Sequence, residues 1–314
     1  MLTPHSSWTL QPLTSWAGAH TIAITSTWGP QAWTLGSTGA SSVLVFFVLF
    51  KLSPYLSNAS TRTYSSLGPR DKIDWDSRVS STLHAFAISA LAAYLIVWSD
   101  SFSDKSSISE PWKDPPLKRH TQVSSAALGL SVGYFMLDIT LIIRHFPWMG
   151  GPEMLIHHIA AFMSVALASF TGQAHLYTLL LLSTELTTPF VNARWVFDQM
   201  GWRSARIYTV NGVCLFASWL FARIVLFLWF FKHMWEHRSD IAELRTHVMV
   251  LILTVPPLLF VLNVFWFGKI VRGLIKLLTG QLAKNEDLSP RIINFTDAAG
   301  RNHFKPVSAQ SKQA

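Results

Sequence analysis

Residues 153–170 read EMLIHHIAAFMSVALASF. After Glu153 the run holds no fixed charge, and its titratable groups are the adjacent His157 and His158. A helix needs about 20 mainly apolar residues to cross the hydrocarbon core, so this stretch reads as a membrane segment with imidazoles inside it. Neutral imidazole costs less to bury than a fixed charge, and near neutral pH it can give or take a proton. Neighbours on a helix diverge by about 100°, so the two rings cannot face one point. One can face a cavity and the other a supporting partner. His157 shares its face with Ala161, Ser164 and Ala168, a small-residue stripe that lets another helix approach closely.

Outward from this stretch the chain is a succession of similar segments. The predicted crossings are Trp33–Leu52, Val79–Trp98, Gln122–Ile143, Met154–Phe170, Ala174–Val191, Ile207–Phe231 and His247–Gly268. The fourth and fifth are short, are separated by Thr171, Gly172 and Gln173, and allow a tight or partly re-entrant hairpin. The 314 residues are 50% hydrophobic and 13% charged, against about 25% charged in soluble domains, which places the chain in lipid. The fold class is therefore an all-α polytopic membrane helical bundle of about seven transmembrane helices. A single cysteine, Cys214, excludes an internal disulfide framework. The net charge of +8 is ascribed to a basic tail drawn to anionic lipid, and no nucleic-acid partner is expected.

Residues 1–31 lack Lys and Arg, have their apolar run interrupted by Pro and Trp, and read as an uncleaved polar, mostly irregular leader outside the cytosol. Residues 32–70 hold the first crossing and a Ser/Pro-rich linker. From Asn285 onward the chain loses the apolar pattern, and residues 278–314 read as a disordered cytosolic tail. Orientation follows the basic residues. The first loop and its flanks carry Lys51, Arg62, Arg70, Lys72 and Arg78, and the tail is richer still. The leader and the fourth loop carry none. The bias puts the C-terminus in the cytosol.

Polar groups at membrane depth are rare, and each one here is a candidate for a site. Tyr134, Asp138, Leu141 and His145 share one helical face. Glu185, Thr188 and Asn192, at i, i+3 and i+7, form a second polar stripe. Pro189 lacks an N–H and so leaves the Glu185 carbonyl without its helical partner. Irregular backbone in a membrane is tolerated only against protein or a water-filled cavity. His84 is the corresponding group on the second crossing, and Arg78 is expected to snorkel to the interface. Arg194 either snorkels or pairs with Glu185, from which it is offset by about 180° on an ideal helix. Arg223 and Asn263 are read as isolated and structural. His233 and His237 have ligand spacing beside Glu236 but no third ligand, so no metal is expected, and no cofactor.

Four stretches together resemble the TLC (TRAM/LAG/CLN-homology) domain family of endoplasmic-reticulum membrane proteins: DKIDWDSRVSSTLHA (71–85), YFMLD (134–138), EMLIHHIAA (153–161) and STELTTPFVNARW (183–195). The last is the most specific and is similar to the smaller members, the TLC domain-containing protein 4 subgroup. The resemblance covers residues 71–277 and implies that the last six crossings form one TLC-type domain. Ceramide synthases, which move a fatty acyl group from acyl-CoA to a long-chain base, resemble the chain more distantly. Tyr134-Phe135, Asp138 and His157-His158 match their signature. Thr184-Glu185 stands where they have His-Asp, and Thr188 where they have a second Asp.

The resemblance implies a protein of lipid homeostasis that binds or modifies an acyl chain or lipid in an intramembrane polar cavity. If it is an enzyme, it is an acyltransferase. His157, His158, Asp138 and Glu185 are the expected acid–base groups, and His84, Tyr134, Thr188, Asn192 and Arg194 the expected substrate-binding groups. Membrane lipid or acyl-CoA is the expected partner, with a homodimer left open. The competing reading is a non-catalytic adaptor or cargo receptor that uses the tail, with Lys305 and Lys312. A proton-coupled transporter ranks below both, because the paired broken helices of such sites are missing.

Overall fold

The computed structural model describes residues 13–103, 115–279, 292–296 and 302–306, with side chains for 33–103 and 115–279. The expected leader over residues 1–12 and the expected disordered tail over 280–291, 297–301 and 307–314 lie outside the described residues. The fold is all-α and polytopic. Its helices are α1 (Leu13–Ser60), α2 (Arg62–Ser66), α3 (Pro69–Ala93), α4 (Gln122–Arg144), α5 (Pro152–Thr171), α6 (His175–Ser183), α7 (Thr188–Gln199), α8 (Arg206–Trp219), α9 (Leu226–Glu236), α10 (Arg238–Ala242) and α11 (Thr246–Leu278). Wide π-turns continue α3 through Tyr94–Trp98 and join α8 to α9 through Leu220–Val225. A short antiparallel pair, β1 (Ile292–Thr296) with β2 (Asn302–Pro306), follows α11. α1 begins at Leu13, within the segment read as a leader.

Among the described residues, six helices are long and apolar enough to cross a membrane: Trp33–Ser60, Pro69–Trp98, Gln122–Arg144, Pro152–Thr171, Arg206–Glu236 and Thr246–Leu278. These coincide with six of the seven predicted crossings. The exception is Ala174–Val191, which is two short helices, α6 and α7, joined by a 3₁₀ turn at Thr184–Thr187. The cause is local. Pro189 sits in the first turn of α7, where its missing N–H is harmless, so the helix before it cannot continue through. α11 absorbs Pro256 and Pro257 without ending, as membrane helices can when neighbouring groups re-satisfy the freed carbonyls.

Helix ends follow their capping residues. Thr121 and Ser124 form a reciprocal capping box at the start of α4. Pro152 opens α5, and Gly172, at φ +67°, closes it in the left-handed conformation that glycine adopts without strain.

The chain forms two compact units, each assembled from separate stretches. The first comprises Met1–Lys51, Ala87–Ser183 and Arg238–Val255, and the second Leu52–Phe86, Thr184–His237 and Pro256–Ala314. In the first unit α4 packs extensively on α5, and α1 lies against α4 across Gly129 and Gly133. A Cβ placed on Gly133 would stand 2.5 Å from Ser42 Cβ and 2.7 Å from the Gly39 carbonyl oxygen, and one on Gly129 would collide with Thr38. The Ser42 hydroxyl donates to the Leu130 carbonyl at 2.6 Å. Residues 129–133 are thus a G-x-x-x-G contact, in which missing side chains let two backbones touch and a hydroxyl ties them. Apolar side chains such as Trp33, Val97, Phe170 and Val261 remain exposed, which in lipid carries no penalty.

Gly133→Leu should therefore separate α1 from α4 at a cost of about 1–3 kcal/mol, the range for overpacking. Thermal unfolding of the detergent-purified protein measures this, and Gly36→Leu, whose Cβ would meet nothing within 4 Å, is the control expected to leave the midpoint in place.

Candidate functional site

The first unit holds the histidine pair. α4 presents Tyr134, Phe135 and Asp138, and α5 presents His157 and His158. His158 Nε2 lies 2.9 Å from Asp138 Oδ2, and its Nδ1 lies 2.9 Å from the Met154 carbonyl oxygen, one turn back on α5. A carbonyl can only accept, so Nδ1 carries a proton. The Nε2–Oδ2 contact then holds one further proton, on the ring or on the carboxyl. Either way the pair has no net charge, which lets it sit between apolar helices. His158 has both nitrogens committed. His157 stands edge-on to it, ring centroids 5.4 Å apart, and Phe135 meets the other ring at 6.1 Å. Tyr134 packs on Phe135 and, from α1, on Phe46, both at 5.4 Å. Tyr134 and Asp138 are buried, and the histidines are half-buried.

A second histidine arrangement in this unit went unnoticed in the sequence. His175, at the start of α6, is fully buried. Its Nδ1 lies 2.8 Å from Ser124 Oγ, and its Nε2 lies 3.2 Å from the Ala168 carbonyl oxygen. The Ala168 carbonyl can only accept, so Nε2 carries a proton, and the Ser124 hydroxyl lies between His175 Nδ1 and the Thr121 carbonyl, 3.0 Å away. His120 pairs with the Gly172 carbonyl at 3.0 Å, with its ring 5.8 Å from His175. These contacts tie the loop before α4 to the α5–α6 corner, a structural task. The signal was the single His175 just past a glycine C-cap, too common a pattern to single out.

Glu185 belongs to the second unit. Its partner there is Arg223, the residue read as isolated. Arg223 Nη2 donates to Glu185 Oε1 at 3.5 Å, Nε to Thr187 Oγ1 at 2.8 Å and Nη1 to Asn263 Oδ1 at 3.2 Å. The guanidinium also lies 4.7 Å from the Trp219 ring centre, and Trp219 Nε1 donates to the Asn263 carbonyl at 3.1 Å. Thr188 donates its hydroxyl to Glu185 Oε2 at 2.7 Å. The 3₁₀ turn forced by Pro189 sets Glu185, Thr187 and Thr188 side by side, and the π-turn at 220–225 carries Arg223 toward them. Asn263 comes from α11. Sequence spacing sets Thr188 beside Glu185 but shows neither Arg223 nor Asn263, which lie far from it along the chain.

Asn192 lies in a different cluster of the same unit, on the stretch 71–85. Its Oδ1 accepts from Arg78 Nη1 at 3.0 Å, and its Nδ2 donates to Ser81 Oγ at 2.7 Å and Thr82 Oγ1 at 2.9 Å. Arg78, expected to snorkel outward, is instead half-buried. It faces Asp74 with Nε at 3.1 Å and Nη2 at 3.2 Å and stacks 4.5 Å from the Trp195 ring centre. Asp76, two residues before Arg78, accepts from Ser53 at 2.6 Å and Tyr64 at 2.9 Å. Burial, and then the bond to Asp76, pushes the Tyr64 phenol above its usual range. His84 is completely buried on α3. Arg194 does not pair with Glu185; it stacks on Tyr208 with its guanidinium carbon 4.5 Å from the ring centre.

The nine candidate residues thus fall into groups. Tyr134, Asp138, His157 and His158 come together in the first unit. In the second, Glu185 meets Thr188, Asn192 meets Arg78, and Arg194 meets Tyr208, while His84 is buried along α3.

These features define a class first: an all-α, multi-pass membrane protein with neutralised polar pairs between its helices. The TLC domain description matches residues 74–272, and the chain belongs to the TLC domain family. It is similar to TLC domain-containing protein 4-A of Xenopus laevis, 30% identical over 240 residues covering 75% of this chain and 89% of that one. It is similar to TLC domain-containing protein 4-B of Danio rerio, 28% identical over 248 residues, 77% and 90%. TLC domain-containing protein 4 of Homo sapiens is 26% identical over 243 residues, 76% and 88%.

Removing one partner of a buried ion pair costs about 3–5 kcal/mol, far more than replacing both. Arg223→Met should therefore destabilise the protein sharply, and the double change Arg223→Met with Glu185→Gln should recover much of the loss. Thermal unfolding of the four proteins as a double-mutant cycle gives the coupling; additive losses would mean that the two groups do not interact.

Proposed function

We propose that this TLC-domain protein acts in lipid homeostasis in the endoplasmic reticulum, with the C-terminus in the cytosol. On this reading it binds an acyl chain or lipid at the histidine centre of α4 and α5. The observation that carries the reading is the His158–Asp138 pair, closed on both sides of the ring, with His157 beside it. A tie that served only to join two helices needs one histidine; the second adds an acid–base group in an apolar setting, where proton transfer is not levelled by water. His158 and Asp138 then act as positioning residues and His157 as the group that meets the lipid. Tyr134 helps to shape that centre.

Acyl transfer from acyl-CoA is the stronger form of the same reading, with His157 as base. Glu185 offers it less help than the sequence implies, since its charge is matched by Arg223 and one of its oxygens is held by Thr188. That supports binding or a chemistry distinct from ceramide synthesis, in agreement with Thr184-Glu185 standing where the synthases have His-Asp.

The test is the lipid composition of cells lacking the protein, restored with wild type, His157→Ala or Asp138→Asn. Wild type should restore the profile and His157→Ala should not, at equal expression. Asp138→Asn retains a group able to bond to the His158 ring and should fold, with partial restoration. A profile that is the same with and without the protein would refute the proposal.

A further inference from the structure

Three arginines in the second unit have an acid to answer them. Arg78 faces Asp74, Arg223 faces Glu185, and Arg203 takes the Asp198 carboxylate with two of its nitrogens. Arg194 is different. Asp198 lies one turn ahead of it on α7, where an i, i+4 pair would form, but that carboxylate is turned to Arg203. Among the described residues no hydrogen bond or ion pair satisfies the Arg194 guanidinium, although the residue is half-buried.

Its position is nonetheless well defined. One face lies on Tyr208, 4.5 Å from the ring centre. A Cβ on Gly212 would stand 3.1 Å from Nη1, and one on Gly273 would stand 3.7 Å from Nη2. Gly212, on α8, leaves room that the guanidinium fills, and Gly273, on α11, lies at ordinary contact distance on its other side. Stacking uses the face of the cation and leaves its N–H edge for an acceptor, the fork that matches two oxygens of one anion.

The surroundings state the anion's charge and company. Lys269 and Lys276 lie four residues before and three after Gly273, on the same helical face, and Arg272 is its neighbour. Arg272 and Lys276 are exposed, and α11 contains no Asp or Glu throughout its length. The same turns expose Ile275 and Leu278. Cations of this density beside apolar side chains suit a doubly charged head on a greasy body better than a lone carboxylate.

We propose that Arg194, stacked on Tyr208 and cradled by Gly212 and Gly273, binds the phosphate of an anionic amphiphile, with Arg272 and Lys276 supplying further positive charge. Basic pockets between transmembrane helices hold lipid head groups by this chemistry. The phosphate can belong to a phospholipid or to the coenzyme A part of an acyl thioester. The inference rests on the lipid-binding reading above and names the chemical class recognised.

Native mass spectrometry of the full chain in detergent tests it, with phosphatidic acid, phosphatidylcholine, coenzyme A and inorganic phosphate as separate probes. Wild type should retain phosphatidic acid or coenzyme A at least about tenfold better than phosphatidylcholine, and Arg194→Gln should remove about tenfold of that preference, the size of one charge-assisted bond. Arg272→Gln should remove less. Preference for phosphatidic acid identifies a lipid head group, and preference for coenzyme A identifies a thioester substrate. Arg194→Lys, which keeps the charge but loses the planar fork, should also weaken binding and serves if Arg194→Gln fails to fold. No phosphate preference in wild type, or equal preference in wild type and Arg194→Gln, overturns the proposal. A phosphate preference that depends on Arg194, alongside a lipid profile indifferent to the protein, would keep this site and sink the lipid-homeostasis reading; the opposite pattern would sink the site alone.

Discussion

A carboxylate placed between apolar helices must have its counter-group within reach, because there is no water to solvate it and no mobile ion to screen it. Much of the internal organisation of this protein follows from that constraint. Asp138 has His158 and Glu185 has Arg223, pairs that join segments whose apolar surfaces alone would not choose one partner over another, and Asp74 has Arg78 one turn along α3. In lipid, apolar contact supplies little preference, since a lipid tail is as good a neighbour as a leucine side chain. Polar pairs and glycine contacts therefore carry the specificity that a water-excluding core carries elsewhere. The Gly129–Gly133 contact with Thr38 and Ser42 is the steric counterpart of the same rule.

The histidine centre shows how such a pair can hold a proton without a net charge. A ring flanked by a carbonyl and a carboxyl requires a proton on each nitrogen contact, so His158 is fixed in orientation and in hydrogen-bond role. His157, next to it in sequence, meets the His158 ring edge-on at 5.4 Å. Glu185 follows the opposite logic: Arg223, Thr187, Thr188 and Asn263 occupy its surroundings, and the carboxylate is part of the framework of the second unit.

Six crossings were legible as apolar runs, because length and composition are local properties. The remaining predicted crossing, Ala174–Val191, is broken, and the reason lies in one residue. Pro189 permits the start of a helix but not its middle, so a stretch apolar enough to read as a span is two helices with a 3₁₀ turn between them. The Asp138–His158 contact was half legible: both residues stood out as buried polar groups on neighbouring spans, but nothing in the spacing told which histidine would take the acid. Arg78 was misjudged because snorkelling is the default for an arginine near a helix end, and Asp74, Asn192 and Trp195 override it.

The sequence by itself determined that this is a multi-pass helical membrane protein, that it carries the TLC motifs, and that a small set of titratable groups lies at membrane depth. It did so because hydrophobic length and residue type are written along the chain. Only the tertiary structure decided the partners. Arg223 and Asn263 appeared solitary, yet Arg223 bonds both Glu185 and Asn263, and Arg194, which seemed available to Glu185, lies on Tyr208 with its hydrogen-bonding edge unanswered among the described residues. Ion pairs and stacked cations are made by residues tens of positions apart, and the helix that brings them together has no signature in the local pattern of either.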